Sequence, residues 1–134
     1  MANKTVFDTN IWISYFLKEN FEELIRLRSE NKVLFLRSTP SIEELQKVIS
    51  RKKFEKNNFN VAELMRFYTG ISDFCETQPL FNECADVNDN FLFDLAIQGN
   101  ADYLVSGDKK VLETPFENKA KVCNLTTFKA EIKG

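Results

Sequence analysis

Apolar positions along this chain follow two rhythms. Short apolar runs, KTVF at residues 4–7 and VLFL at 33–36, have the length and composition of buried strands, and YLVSGD at 103–108 reads as a third strand. KVC at 121–123 is a fourth, shorter run. Between them apolar residues recur at three-and-four spacing. Residues Asn10 to Leu17 make an apolar helical or turn segment, and Phe21, Leu24, Ile25 and Leu27 line one face of a helix. Ile42, Leu45, Val48 and Ile49 do the same in SIEELQKVI, where Ser38 or Thr39 caps and Pro40 takes the first helical position. Leu64, Phe67, Ile71 and Phe74 predict a helix over 61–74 with one buried stripe. Leu92, Leu95 and Ala96 mark another in DVNDNFLFDLAIQG, with Asp or Asn caps in front and Gly99 as its stop. Thr126 or Thr127 opens a last short helix.

Short apolar strands alternating with amphipathic helices predict βαβ units, hence an α/β fold: a three-layer α/β/α sandwich around a central parallel sheet. With 134 residues, the chain is expected to form a single domain, 1–134, burying roughly two thirds of its unfolded surface. Hydrophobic residues at 43% and charged ones at 28% are the balance of a soluble globular protein. The start, MANKTVFD, lacks the roughly 7–15 apolar residues of a signal peptide. No later run approaches the roughly 18 needed to cross a bilayer, so a cytoplasmic protein without membrane contact is expected. Cys75, Cys84 and Cys123 are odd in number and lack CxxC spacing, so they are read as small buried hydrophobes.

The chain has no histidine. That removes Ser-His-Asp triads, Cys-His pairs, imidazole acid-base chemistry and His-ligated zinc together. An enzyme of this composition must work with carboxylates, Lys, Tyr or a metal. The net charge of -2 also lacks the basic excess usual in nucleic-acid binders, which leaves only local charge for that purpose.

Carboxylates are where the chemistry gathers. Asp8 directly follows the first strand and Asp108 follows YLVSG, so both project at one sheet edge if their strands are parallel neighbours. Gly107 allows a sharp turn there. On the helix after Asn88, Asp89 lies about 60° from Leu92 at about 100° per residue and stays near the core-facing side. Asp94 lies about 160° away and reads as solvated. Asp86 and Asn88 read as caps, with Asp86 near enough to contribute. Glu44 lies about 110° from the centre of its helix's buried stripe against about 150° for Glu43, which makes Glu44 the better-placed acid.

Each acid taken singly has an ordinary reading: Asp89 a helix cap, Glu44 a solvated helix residue, Asp8 and Asp108 turn formers. Taken together they would repel one another and raise each other's pKa unless a cation sat among them. With oxygen ligands alone that cation should be Mg²⁺ or Mn²⁺, which orients a phosphate and activates water.

FDTNIW, EEL and DVNDNFLFDLAIQGNADYLVSGD together resemble the PIN domain, and in particular the VapC-like toxins of bacterial and archaeal toxin-antitoxin pairs. The resemblance runs from Val6 to about Leu125 and is sharpest between Asp86 and Asp108. It implies a Mg²⁺- or Mn²⁺-dependent endoribonuclease that cuts single-stranded RNA. It puts the family's acids on Asp8, Glu44, Asp89 and Asp108, with metal on Asp8, Asp89 and Asp108. Asn10 and Ser106 match small polar positions that support those acids. It also implies an antitoxin partner and, often, a homodimer. One departure is Val87, where much of the family has proline between the two acids at 86 and 89.

For substrate grip, RKKFEK at 51–56 is the densest basic stretch. Arg51, Lys52 and Lys53 could meet RNA with Phe54 and Phe59 stacking on bases, or simply complement a helix C-terminus. Lys109 and Lys110 follow Asp108 and could meet a phosphate or screen the acids. Two rival readings remain. A haloacid-dehalogenase-type phosphatase needs a second Asp where Asn10 stands. A catalytically idle PIN-like domain would bind RNA or a protein partner through the same fold.

Overall fold

A computed structural model describes residues 2–52 and 60–134. Five strands form one all-parallel sheet: β1 (Asn3–Phe7), β2 (Val33–Arg37), β3 (Ser72–Phe74), β4 (Tyr103–Val105) and β5 (Lys121–Cys123). Their order across the sheet is β3-β2-β1-β4-β5. The connections are helical: α1 (Thr9–Leu17), α2 (Phe21–Ser29), α3 (Thr39–Lys52), α4 (Val61–Ile71), α5 (Asn90–Gln98), α6 (Lys109–Leu112) and α7 (Leu125–Lys133). The predicted α/β sandwich is therefore the observed architecture.

Strand pleating explains how so short a sheet supports three layers, because neighbouring residues of a strand point to opposite faces. In β1 Phe7 joins the cluster that holds Trp12, Phe16, Leu24, Leu45, Leu64, Tyr68 and Phe128, while Val6 joins Leu92, Phe93, Leu95 and Val111 on the other face. Phe35 and Leu36 of β2, and Val105 and Leu104 of β4, divide in the same way. Helices α1 to α4 and α7 thus cover one face, and α5 with α6 covers the other. Trp12 anchors the larger core, its ring edge-on to Phe35 and to Tyr68 at centroid distances of 5.1 and 5.0 Å.

Several expectations need correction, beginning with YLVSGD, whose strand ends at Val105 before the loop that carries Ser106. The helix predicted over 61–74 ends at Ile71, and Ser72–Phe74 pair with β2 as an edge strand, leaving Phe74 51% exposed. Its three residues are too few to carry a strand pattern. Ile25 is 51% exposed and not part of the α2 core face, which rests on Leu24 and Leu27. The last helix opens at Asn124, whose side chain accepts the Thr127 N–H at 2.8 Å, a cap two residues earlier than expected. Cys84 and Cys123 are buried as expected, whereas Cys75, just past the edge strand β3, is only half-buried; all three are free thiols. Among the described residues no helix is long and apolar enough to cross a membrane.

One feature of the topology positions the site. The chain builds β2 and β3 to one side of β1 and then crosses to place β4 and β5 on the other. Where the order reverses, between β1 and β4, the loops after the two strands part and leave a crevice at their carboxyl ends.

Candidate active site

Asp8 and Asp108 both lie at that crevice. Strands β1 and β4 are paired in parallel with Phe7 opposite Val105, and the Asp8 N–H donates to the Val105 carbonyl at 2.8 Å. Asp8 then caps the start of α1 by position and Asp108 the start of α6. The condition set by the sequence, that the two strands be parallel neighbours, is met.

Ser106 joins them. Fully buried, its hydroxyl donates to Asp8 Oδ2 at 2.6 Å and accepts the Asp108 N–H at 3.0 Å. One serine therefore fixes the orientation of the first acid and the backbone of the last. Asp8 is itself buried, and burial holds its pKa above the usual 3.8. The Ser106 hydroxyl and the N–H groups of Asn10 and Thr9 oppose that rise, while the charge of Asp108 adds to it. Asn10 contributes through its backbone; its side chain is exposed.

The third acid arrives from across the sheet. A 3-10 turn over Val87–Asp89 precedes α5, stabilised by the Asp86 side chain accepting the Asn88 N–H at 3.0 Å. The turn leaves Asp89 half-buried without a capping hydrogen bond to α5. Its pKa is pushed up to about 7, first by burial, then by the charges of Asp8, Asp86 and Asp108, and by the hydrogen bond its protonated carboxyl makes to Asp108. Acids as far apart along the chain as Asp8 and Asp108 thus act on one group. The charges of Asp8, Asp86 and Asp108 all raise the pKa of Asp89, and a bound cation would relieve that repulsion.

Glu44 stands apart from this trio. Half-buried on α3, it lines a neighbouring cleft of about 580 Å³ together with Asn88 and Asn90, and its charge is not among those that act on Asp8 or Asp89. Among the described residues, no three of Asp, Glu or Cys stand close enough to form a closed ligand set for a metal ion. The donor chemistry nevertheless fits a hard divalent cation, since every side chain offered by the trio is a carboxylate. Arg51, Lys109 and Lys110 are exposed; Lys53, Phe54 and Phe59, like the side chain of Lys52, lie outside the described residues.

Asp94 differs from its expected place. It is only 4% exposed, and its Oδ1 accepts the N–H groups of Leu80 and Phe81 at 3.0 and 2.8 Å. The angle from Leu92 was no guide because the loop before Asp86 lies over the outer side of α5, which is buried from Leu92 to Ala96. The apolar run FLFDLAI is the signal that could have found it: a helix apolar on most sides is a covered helix, and an acid within it needs donors.

Comparison with known proteins agrees with the fold. A family model described as the PIN domain matches residues 4–110. The chain is 27% identical over 121 residues to the uncharacterized protein MJ1680 of Methanocaldococcus jannaschii, an alignment covering 87% of this chain and 77% of that one. Among solved structures it resembles VapBC2 from Rickettsia felis, bound in that crystal to a DNA fragment from its promoter. The TM-score is 0.61 at 17% identity, over 90% of this chain and 98% of that one. PAE2754 from Pyrobaculum aerophilum matches equally, with a TM-score of 0.61 at 17% identity, over 99% of this chain and 91% of that one. At such identities these two likenesses are of fold. The family model spans the stretch from β1 to α6, both strand-end acids included, and with it the chain belongs to the PIN domain family, whose members are generally nucleases.

Proposed function

We propose that this protein is a divalent-metal-dependent endoribonuclease that cleaves single-stranded RNA, and that it is the toxin of a toxin-antitoxin pair. The single observation that carries the catalytic reading is the pKa of Asp89, pushed up to about 7 by burial and by Asp8, Asp86 and Asp108. Structural carboxylates are normally arranged to avoid such mutual repulsion. Here it is retained at the switch point of the sheet, where α/β folds bind ligands.

In this reading Asp8, Asp89 and Asp108 hold the ion, Mg²⁺ or Mn²⁺, which when bound polarises a phosphate oxygen and makes water a better nucleophile. Ser106 orients the Asp8 carboxylate through its 2.6 Å bond and so sets the angle at which Asp8 faces the crevice. Asp86 adds negative charge behind Asp89 and steadies the 3-10 turn that carries it. Glu44, which lines the adjoining cleft, orients the attacking water. Lys109 and Lys110, exposed beside Asp108, meet the RNA backbone on the side away from the acids.

The toxin role is supported by fold similarity to the toxin-antitoxin proteins of Rickettsia felis. The partners that follow are a cognate antitoxin and a second copy of this chain. A purified sample should cut unstructured RNA in Mg²⁺ or Mn²⁺, lose that activity in EDTA, and lose it again in Asp8→Asn. Cleavage that persists unchanged in EDTA or in Asp8→Asn would remove the metal-carboxylate mechanism.

A further inference from the structure

The cleft beside the acids, about 580 Å³, falls in the roughly 300–1,000 Å³ range of small-molecule sites. It adjoins the acids through the 3-10 turn: Asn88 and Asn90, on either side of Asp89 in the chain, both line it. On its other wall, Glu43 and Lys47 stand one turn apart on α3. Residues so spaced ordinarily pair, Glu to Lys at i and i+4. These two form no ion pair with each other or with anything else among the described residues. A carboxylate and an ammonium therefore face the same cleft uncommitted, with the half-buried Phe91 ring also lining it.

Charge decides which part of a nucleotide enters. Glu43 and Glu44 both line the cleft and would repel a phosphate, so a base and not the backbone is suited to it. Single-stranded RNA offers splayed bases that stack on aromatic rings and are read along their edges. Guanine alone of the four bases carries two adjacent N–H donors, N1–H and N2–H₂, which one carboxylate can accept together. On the same base O6 and N7 are acceptors for a lysine ammonium. Glu43 and Lys47, side by side, match that combination; adenine, cytosine and uracil each lack part of it. Asn90 is held in place by accepting the Cys84 N–H at 3.0 Å through its Oδ1, which leaves its NH₂ as a further donor to O6.

We propose that this cleft is a subsite for an unpaired guanine next to the cleaved phosphate, with Glu43 and Lys47 as its specificity-determining residues. The proposal rests on the ribonuclease reading for its biological meaning, but its binding chemistry stands without cleavage. The test uses two 2′-O-methyl pentanucleotides, which are bound but not cut, UUGUU and UUAUU, titrated into the full chain in EDTA. UUGUU is expected to bind roughly ten-fold more tightly, the margin of one bidentate base contact. In Glu43→Gln, which keeps the shape and loses the double acceptor, the ratio should fall close to one. Lys47→Met should shrink it in part, and far-UV circular dichroism checks that both variants fold. Equal affinities in the native protein, no binding of either oligonucleotide, or a margin that survives Glu43→Gln overturns the proposal. A guanine margin in a protein that cuts no RNA in Mn²⁺ would instead defeat the nuclease reading and leave the subsite standing.

Discussion

Replacing Asp89 with asparagine should make the metal-free protein more stable. The carboxyl's pKa stands at about 7 against an ordinary 3.8, so keeping it ionised in the folded state costs free energy that the unfolded chain does not bear. At about 1.4 kcal/mol per pH unit the whole displacement amounts to roughly 4 kcal/mol, and Asp89 is only half-buried, so solvent screening cuts this to about 2 kcal/mol. The sign is fixed by the direction of the displacement. The folded state holds the proton more tightly, so the cost is absent below about pH 4, grows as the pH rises towards 7, and is constant above. Asparagine is nearly isosteric and removes the charge. No helix cap is lost with it, because the Asp89 side chain makes no capping hydrogen bond. Thermal unfolding in EDTA at pH 8 should show Asp89→Asn melting about 6 °C above the native protein, shrinking to about 2 °C at pH 5. Saturating Mn²⁺ should then raise the native melting temperature by more than that of the variant. An Asp89→Asn that melts at or below the native temperature at pH 8 would refute the claim that these acids crowd one another.

Other substitutions separate the roles of neighbouring residues. Ser106→Ala should lower RNA cleavage by about 10- to 100-fold while costing about 1–2 kcal/mol of stability in urea melts, since it frees both Asp8 and the Asp108 N–H from their shared partner. Asp94→Ala should cost about 2–4 kcal/mol by the same melts because two loop N–H groups lose their acceptor, and Asp94→Asn should recover much of it. Glu44→Gln should reduce turnover with little effect on Mn²⁺ affinity measured by calorimetry, in keeping with its place in the adjoining cleft, apart from Asp8, Asp89 and Asp108. Equal loss of metal binding in Glu44→Gln and Asp8→Asn would put Glu44 among the ligands instead.

Much of this was legible in the sequence, and the reasons are local. The strand runs at 4–7 and 33–36 are buried on both faces, so their apolar character is continuous and easily read. Asp8 and Asp108 could be placed because each follows such a run directly, and a parallel pairing carries strand ends to the same rim. What stayed hidden depended on contacts across the chain. The strand at Ser72–Phe74 exists because β2 offers it an edge, and nothing in Ser-Asp-Phe specifies that partner. The same holds for Asp94, whose burial is made by Leu80 and Phe81 from a separate loop. The bond from Ser106 to Asp8 spans 98 residues, and only the family resemblance pointed to that serine.

Binding of a divalent ion by the acids at the switch point is the property on which the proposed chemistry depends most directly. Mn²⁺ titrated into isotopically labelled protein broadens the NMR signals of residues near the ion. The expected result is selective loss of the signals of Asp8, Asp89, Ser106 and Asp108 at substoichiometric Mn²⁺, abolished in Asp108→Asn. Broadening spread evenly over the surface, or unchanged by that substitution, would contradict it.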